Sequence, residues 1–327
     1  MDNTTLNFCQ VSLARDLPII QQNYKNLKEF YNFININIIC PSSEIQIFKK
    51  NLKFNEFNLF CEDDLISFEE FKNIFMNIKA EETFKKLMNN RLQWYYQQIL
   101  KLVFTLDFIK KENKKIIIWD ADTIITKEIN FFDKNQSIKY GTLFEFHKQY
   151  FSTTESIFNK LPNYYISSLT QFISLTVEEA DFLLRILNID YLDKKDLAIK
   201  ISNIILKNII IKHKTYTDSL FSEYELIGIS NLLNKDSKQK AIFTLRSGLN
   251  GQLTKKQYLI AKIFNIYHVT YEHSHHNINS SGMLNRYLSW FRFVKILFKF
   301  YPRFVFKNVI HNIKYYLSKN NDFILNK

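Results

Sequence analysis

Short apolar runs alternate with longer stretches of helical spacing over the first 122 residues of the chain. Apolar residues every three or four positions favour amphipathic helices, whereas the short runs suit buried strands. The predicted elements are strand 6–13, helix 16–31, strand 36–40, a third strand within residues 55–65 that leads into the acidic turn Glu62, Asp63 and Asp64, largely helical residues 67–112 and strand 114–122. Parallel strands need crossovers of this kind, so the order predicts an α/β fold with a mainly parallel, Rossmann-type mixed sheet and helices on both faces.

Beyond residue 122 the pattern predicts further elements of both kinds. They are an extended segment 125–133, a strand 140–151 that carries His147, helices 176–190 and 194–212, a helix that begins near Phe221 and a strand within residues 263–276. In a sheet of parallel strands, ligands gather at the carboxyl ends of the strands. Polar residues at those ends are therefore the candidates for a functional site.

The composition excludes several classes of protein. Hydrophobic residues make up 46% of the chain, which is enough for a packed core. With only 5 glycines the chain has neither the GxxxxGK[ST] nor the GxGxxG phosphate loop. Cys9, Cys40 and Cys61 lack metal-binding spacing, and no leader or membrane-spanning pattern is present, so we expect a cytoplasmic protein with reduced thiols. The abundance of Asn, Ile, Lys and Phe is interpreted as the signature of an AT-rich genome, without functional meaning.

The positive charge is concentrated at the end of the chain. Residues 286–327 hold nine Lys and Arg and one acid, Asp322, which gives them +8 of the net charge of +12. Aromatic residues lie between these cations, a mixture typical of segments that bind anionic membrane surfaces. We expect the tail to dock on the inner face of the cell membrane; the alternative is that it forms helices packed on the preceding domain. A non-enzymatic nucleic-acid or membrane-binding protein would explain the tail and nothing else, and no nucleic-acid partner is expected.

The run IIIW, residues 116–119, ends abruptly in Asp120, Ala121 and Asp122. On an extended chain, side chains two positions apart point to the same face, so two carboxylates would lie side by side at the end of a buried strand. Oxygen ligands in that arrangement suit a hard divalent cation, Mn²⁺ or Mg²⁺. Two chemistries use such a pair: binding of a nucleotide-sugar diphosphate through a cation, and phosphoryl transfer to the first Asp in haloacid-dehalogenase-like phosphatases.

The phosphatase alternative fits the sequence less well. That class expects DxDx[TV] on the first strand of its domain, whereas Ile124 stands at the last position here and about 115 residues precede the acids. No GDxxxD-like acidic pair follows. Phosphatase chemistry with Asp120 as nucleophile therefore ranks second.

Four stretches in order resemble the GT-A type glycosyltransferases, in particular bacterial DxD-containing transferases of surface polysaccharide and lipopolysaccharide synthesis. They are VSLARD (11–16), WYYQQILKL (94–102), IIIWDADTI (116–124) with EFHKQYF (145–151), and FSEYE (221–225), and together they span roughly residues 6–276. The resemblance implies a GT-A-like catalytic domain over residues 1–280 and a separate basic helical tail over residues 281–327. It also implies an enzyme that moves a sugar from a nucleotide-sugar donor to a hydroxyl of a glycan or lipid-linked saccharide.

The resemblance implies a donor site around the ends of the first and fourth strands. Its expected residues are Ser12, Arg15, Asp16, Gln98, Lys101, Trp119 and Asp120. Arg15 would supply a forked cation for phosphate. The alternative for Asp16 is a cap on the following helix, and for Gln98 and Lys101 an ordinary polar helix face.

The resemblance further implies metal, acceptor and catalytic residues. Asp120 and Asp122 would bind the metal, with His273 and His275 as candidate late ligands because Mn²⁺ also accepts imidazole. The acceptor side would be lined by Glu145, His147 and Tyr150. Candidates for a general base or for gripping acceptor hydroxyls are Glu223 and Glu225, for which the alternative is a favourable charge in the first turn of a helix.

Overall fold

A computed structural model describes residues 5–53, 55–78, 82, 91–134, 136–142, 147–162, 166–190, 193–213, 219–234, 239–247, 255, 257–258, 261 and 266–271. Its helices are α1 Leu17–Phe30, α2 Ile45–Asn51, α3 Phe68–Asn77, α4 Leu92–Glu112, α5 Lys148–Phe158, α6 Val177–Ile186, α7 Lys194–Lys212 and α8 Glu223–Asn234. Its strands are β1 Leu6–Val11, β2 Ile34–Cys40, β3 Phe57–Cys61, β4 Ile116–Trp119, β5 Thr123–Ile125, β6 Phe132–Asp133, β7 Gln136–Ser137, β8 Tyr140–Gly141, β9 Phe172–Leu175, β10 Lys240–Ala241, β11 Leu245–Ser247 and β12 His268–Tyr271. The predicted tail, residues 281–327, lies outside these ranges.

The central sheet has the strand order β3-β2-β1-β4-β9. The first four strands are parallel, and β9 joins β4 in antiparallel orientation. Because successive side chains of a strand alternate between faces, Cys9 and Ile118 pack under α4 while Phe8 and Trp119 pack on the opposite side against α1. The predicted α/β architecture with a mainly parallel sheet covered on both faces is confirmed.

A second, three-stranded sheet lies beyond the carboxyl end of β4. Its order is β11-β12-β5, with β12 antiparallel to β5. Two asparagines of α1 hold the edge of β5: Asn23 Oδ1 accepts from the Ile125 N–H at 2.8 Å, and Asn26 Nδ2 donates to the Ile125 carbonyl at 2.8 Å. The chain thus passes directly from one sheet to the other at residues 120–122.

Several predicted elements differ from the observed ones. The predicted strand 140–151 is wrong in its last part: of its described residues, Tyr140–Gly141 form a strand, whereas His147 immediately precedes helix α5 and residues 148–151 belong to that helix. Tyr150, Thr154 and Phe158 recur at helical spacing and are buried, a pattern that indicates an amphipathic helix. Strand β9, only four residues long, was not predicted.

Within the described part of the chain, no helix is both long and apolar enough to cross a membrane.

Candidate active site

The two acids lie on a tight turn at the carboxyl edge of the central sheet. The Thr123 N–H donates to the Asp120 carbonyl at 3.1 Å, and this bond closes the turn between β4 and β5. The expected extended geometry of the acids is therefore wrong, because the chain reverses there to enter the second sheet. The turn still holds both carboxylates at the strand ends, and the side chain of Asp120 is 23% exposed.

Lys101 joins the turn to a second carboxylate. It projects from the middle of α4, and its Nζ bonds Asp120 Oδ1 and lies 2.9 Å from Glu223 Oε1. Burial alone would lower the pKa of Lys101, but the charges of Asp120 and Glu223 hold that pKa above its usual range. Lys101 is therefore a permanent cation clamped between two acids.

Helix α8 supplies the other half of the cluster from its first two residues. Glu223 has no exposed surface, and burial together with Asp120 raises its pKa against the opposing effect of Lys101. The Tyr224 hydroxyl donates to Asp120 Oδ1 at 2.7 Å, and burial followed by the charge of Asp120 raises the pKa of Tyr224 as well. Asp120 Oδ1 is thereby held by a cation and a phenol from two different helices.

Gln98 completes the enclosure of Glu223. It lies one turn before Lys101 on α4 and is buried. When its amide is oriented by its partners, the nitrogen donates to Glu223 Oε1 at 3.0 Å. Gln98, Lys101, Asp120 and Glu223, all predicted from the sequence, are brought together.

The loop after β1 is organised by Asp16. Its Oδ2 accepts from the Leu13 N–H at 3.0 Å and from the Ser12 hydroxyl at 3.3 Å. Arg15 is exposed and lies 3.9 Å from Asp16 Oδ1 through its Nε. The buried Asp16 thus stabilises its own turn, which leaves Arg15 as the solvent-facing cation of this loop.

Two further acids, Glu44 and Glu62, lie at this edge of the sheet. Glu44, just before α2, accepts from the Ala14 N–H at 2.6 Å. Glu62 follows β3, and burial, with Asp63 and Glu44 nearby, raises its pKa to about 7. The carboxyl ends of four neighbouring strands therefore each lead to an acidic side chain.

Three predicted residues lie apart from the cluster or within the core. Trp119 is fully buried among aromatic rings, and its Nε1 donates to the Thr123 carbonyl at 2.9 Å, so its side chain offers no surface to a ligand. Glu225, also fully buried, accepts from the Ser167 hydroxyl at 2.5 Å and from the Ser168 N–H at 3.2 Å. Tyr150 is buried and stacks between Trp94 and His147.

Three other predicted residues, Glu145, His273 and His275, lie outside the described residues. The strand that precedes the histidines is described up to Tyr271, whose N–H donates to the Asp122 carbonyl at 2.7 Å. The chain therefore reaches the acid turn two positions before His273.

The oxygen atoms around the turn suit a hard cation. Both bonds to the Asp120 carboxylate are made to Oδ1, and within the described part of the chain its Oδ2 has no hydrogen-bond partner. Asp122 is half-buried beside it. No group of three or more His, Cys, Asp or Glu that could hold a metal occurs among the residues whose placement is given. The two acids would therefore need further ligands from a bound substrate, from solvent or from elsewhere in the chain.

Two contributors to this site were not predicted from the sequence. Tyr224 stands between the two predicted glutamates at the start of a predicted helix, and that position was the signal that the sequence offered. His268 lies behind the turn and is fully buried. Its ring meets those of Trp119 and Phe172 edge-on, at centroid distances of 5.8 and 5.7 Å. Burial lowers its pKa to about 3, so the ring is neutral.

Comparison with known proteins gives likenesses of fold only. No family model and no curated protein matches the sequence. A galactosyltransferase, LgtC, in complex with donor and acceptor sugar analogs has a TM-score of 0.43 and 10% identity over 88% of this chain and 96% of its own. Mouse xyloside xylosyltransferase 1 in its apo form has a TM-score of 0.41 and 9% identity over 84% and 99%. The bifunctional glycosyltransferase WbbM has a TM-score of 0.34 and 9% identity over 85% and 47%. At these values the likenesses assign neither a family nor an activity to the chain.

Proposed function

We propose that this protein is a metal-dependent glycosyltransferase that moves a sugar from a nucleotide-sugar donor to a hydroxyl of a glycan or lipid-linked saccharide. The observation that carries the proposal is the convergence of Lys101 and Tyr224 on Asp120, with Glu223 holding Lys101, at a turn of acids that ends a buried parallel strand. A carboxylate fixed by two helices is preorganised, which suits a ligand that must be held in one orientation.

The acidic edge supports a role for a divalent cation. Asp16, Glu44, Glu62 and the acid turn all lie at strand ends on this side of the sheet, so a donor diphosphate would meet negative charge. Asp120 through Oδ2, and Asp122, would hold Mn²⁺ or Mg²⁺, with His273 and His275 as further candidates. When bound, the cation would neutralise the diphosphate and its charge as a leaving group.

The protein's own residues have distinct roles in this proposal. The loop of Ser12 and Asp16 lies at the end of β1, and Arg15 is the exposed cation that can reach a phosphate. Glu223 has no exposed surface, so the role that its contacts support is positioning: it holds Lys101 against Asp120. The acceptor contacts of Glu145, His147 and Tyr150 remain part of the proposal. Glu225 has no exposed surface either, so its contacts with Ser167 and Ser168 likewise support a positioning role.

The proposal is tested by thermal unfolding with a panel of nucleotide-sugars, with and without Mn²⁺ or Mg²⁺. A bound donor must raise the melting temperature by mass action, and Asp122→Asn should abolish the rise. Asp133→Asn, the same change at an exposed position, is the matched control. The proposal fails if no nucleotide-sugar stabilises the wild type, or if Asp122→Asn responds as the wild type does. Hydroxylamine-sensitive phosphorylation of Asp120 without donor binding would favour the phosphatase.

Membrane attachment through residues 286–327 is a separate part of the proposal, since a lipid-linked acceptor is presented at a membrane. Each Lys or Arg near an anionic surface contributes about 1 kcal/mol, so salt should weaken the attachment. Co-sedimentation with anionic liposomes at low and high salt, with and without residues 286–327, tests it. Binding that persists after removal of the tail would exclude this role.

A further inference from the structure

A cavity lies beside the C-terminal half of α4, away from the acid turn. It has a volume of about 360 Å³, within the usual size range of small-molecule sites. It opens between the C-terminal half of α4 and the exposed part of the sheet face formed by β1, β2 and β3. Its wall includes Asn7, Asn35, Asn37, Asn58, Phe60 and Asp107. None of the residues proposed to bind donor or metal lines it.

The floor of the cavity is a row of four asparagines on one face of the sheet. The strand registers pair Asn7 with Asn35 and Asn37 with Asn58. Asn35 Nδ2 donates to Asn7 Oδ1 at 3.3 Å, and Asn58 Nδ2 donates to Asn37 Oδ1 at 3.2 Å. Asparagine is disfavoured in strands, and this face packs apolar side chains against α4 farther along the sheet. Asn7 and Asn37 are buried, and their Nδ2 atoms also donate to the Lys115 and Phe8 carbonyls at 3.1 and 2.9 Å. The row therefore gives the cavity a polar floor where a core would be apolar, and Asn35 and Asn58 are its more exposed members.

Asp107 supplies a carboxylate that is only half satisfied. It projects from α4, is 8% exposed, and receives Lys111 Nζ on Oδ2 at 2.9 Å. Its Oδ1 is buried and, among the described residues, accepts no hydrogen bond. The carboxylate lines the cavity, and because a carboxylate oxygen can accept more than one hydrogen bond, it can receive a donor from a ligand beside Lys111.

The side of the cavity nearest the sheet edge is aromatic. Phe60, on the edge strand β3, is 36% exposed, and its ring meets Phe104 edge-on at a centroid distance of 4.8 Å. Phe108 lies parallel to Phe104 one turn along α4, at 6.1 Å. The cavity thus combines an apolar aromatic wall with polar groups on the floor and on the helix.

We infer that this cavity binds a neutral sugar. A pyranose ring presents hydroxyl donors to the Asp107 carboxylate, hydroxyl donors and acceptors to the amides of Asn35 and Asn58, and an apolar C–H face to the phenyl rings. The site would take a single sugar unit of a saccharide, independently of whether the acid turn performs glycosyl transfer.

Other ligand classes fit the wall less well. The lining holds three acids and three lysines, namely Asp64, Asp107, Glu112, Lys111, Lys114 and Lys194, so it has no net charge that would favour an anion. An apolar ligand would displace water from the polar groups of the lining without replacing its hydrogen bonds. A cation would satisfy Asp107 and gain nothing from the asparagine donors, and this alternative is separated by experiment.

The test uses the full chain and a matched pair of probes, N-acetylglucosamine and glucosamine, which share a ring but differ in charge at neutral pH. Ligand-observed NMR titration gives an apparent Kd for each. We expect N-acetylglucosamine to bind the wild type, and Asp107→Asn to weaken that binding at least tenfold. Asp190→Asn, at an exposed position away from the cavity, is the matched control and should bind as the wild type does. Phe60→Ala, which removes the aromatic wall at an exposed position, should also weaken binding.

Each other outcome overturns the inference. Absence of N-acetylglucosamine binding to the wild type excludes a neutral-sugar site, including the case in which another part of the chain fills the cavity. Binding of glucosamine alone would make it a cation site. Binding that survives Asp107→Asn and Phe60→Ala but is lost in Asp122→Asn would locate the sugar at the acid turn instead.

Discussion

Two positions of α4 bury charge in opposite ways. At Lys101, which we call the closed end, the ammonium is enclosed by carboxylates from two other elements, and Tyr224 adds a hydrogen bond to one of them. At Asp107, nearer the C-terminus and called the open end, the carboxylate bonds Lys111, whose side chain is 52% exposed, and its buried Oδ1 accepts no hydrogen bond from the described residues. A charge enclosed by partners fixes the geometry of its neighbours, whereas the Asp107 carboxylate lines a cavity and has bonding capacity left for a ligand.

The packing of helices on the sheet explains this difference. Helix α8 encloses Lys101 through Glu223. It packs closely on the segment before β9 because residue 228 is glycine: a Cβ there would lie 2.0 Å from Ser168 Oγ. At the open end, a cavity lies between α4 and the asparagine face of β1, β2 and β3. The first end is therefore a site assembled by tertiary structure, and the second is a gap left beside an edge strand.

The largest expected effect is a loss of stability when Lys101, at the closed end, is replaced. Lys101→Met should lower the free energy of unfolding by about 3 to 5 kcal/mol, because it leaves two carboxylates buried without their cation. Lys111→Met, the same change on the same helix at the open end, should cost less, about 1 to 2 kcal/mol, because it leaves one carboxylate without its cation rather than two. Urea unfolding measures both.

The double variant Lys101→Met, Glu223→Gln should recover part of the loss, since it removes one of the unpaired charges. Equal losses in the two lysine variants would remove the distinction between the two ends.

The second expected effect is on turnover and rests on the proposed transfer activity. Glu223→Gln should lower kcat about 100-fold, or about 2.7 kcal/mol in activation free energy, because a misplaced Lys101 no longer orients Asp120. Donor affinity should fall less than kcat, because Asp122 would still hold the cation and Arg15 the phosphate. Glu155→Gln, an exposed glutamate of α5, is the control. Wild-type turnover in Glu223→Gln would leave Glu223 as a structural residue only.

The third effect is a pH dependence at the closed end. The folded pKa of His268 is about 3, below its ordinary value near 6.5, because burial favours the neutral ring. Between these values the unfolded chain binds the extra proton, so this contribution to stability is complete above pH 6.5 and declines as the pH falls. At pH 5 the loss is about 2 kcal/mol. His268→Phe should remove that part of the pH dependence, measured as the wild-type-minus-variant difference in unfolding free energy at pH 8 and pH 5. A difference that does not change with pH would contradict it.

The sequence predicted the pair of acids at a strand end and the parallel sheet, because both have local signals. Four apolar residues that end in two acids indicate a strand end wherever the strand lies in the sheet. The pairing of Lys101 with Glu223 has no local signal, since 122 positions separate the two residues, although each was singled out alone. The tight turn at Asp120 was missed because it depends on the second sheet, which is completed by β12.

The asparagine row was missed for a different reason. Asn35 and Asn37 alternate along β2, a pattern that places both on one face, but asparagine was attributed to compositional bias. Asp107 was also missed, because an acid four positions before a lysine on a helix is typical of an ordinary surface ion pair. Only the strand register and the burial of Asp107 bring these residues to one wall.

The smallest expected effect is at the open end. Asp107→Asn removes a buried charge that has one exposed partner, so the lost attraction to Lys111 is worth at most about 1 kcal/mol. The amide also no longer bears the desolvation cost of a carboxylate whose Oδ1 lacks a partner, and this gain offsets part of the loss. We therefore expect the free energy of unfolding to change by less than about 1 kcal/mol, measured by urea unfolding beside Asp190→Asn. A loss as large as that of Lys101→Met would mean that Asp107 is fully bonded in the folded protein, and the carboxylate would then not be open to a ligand.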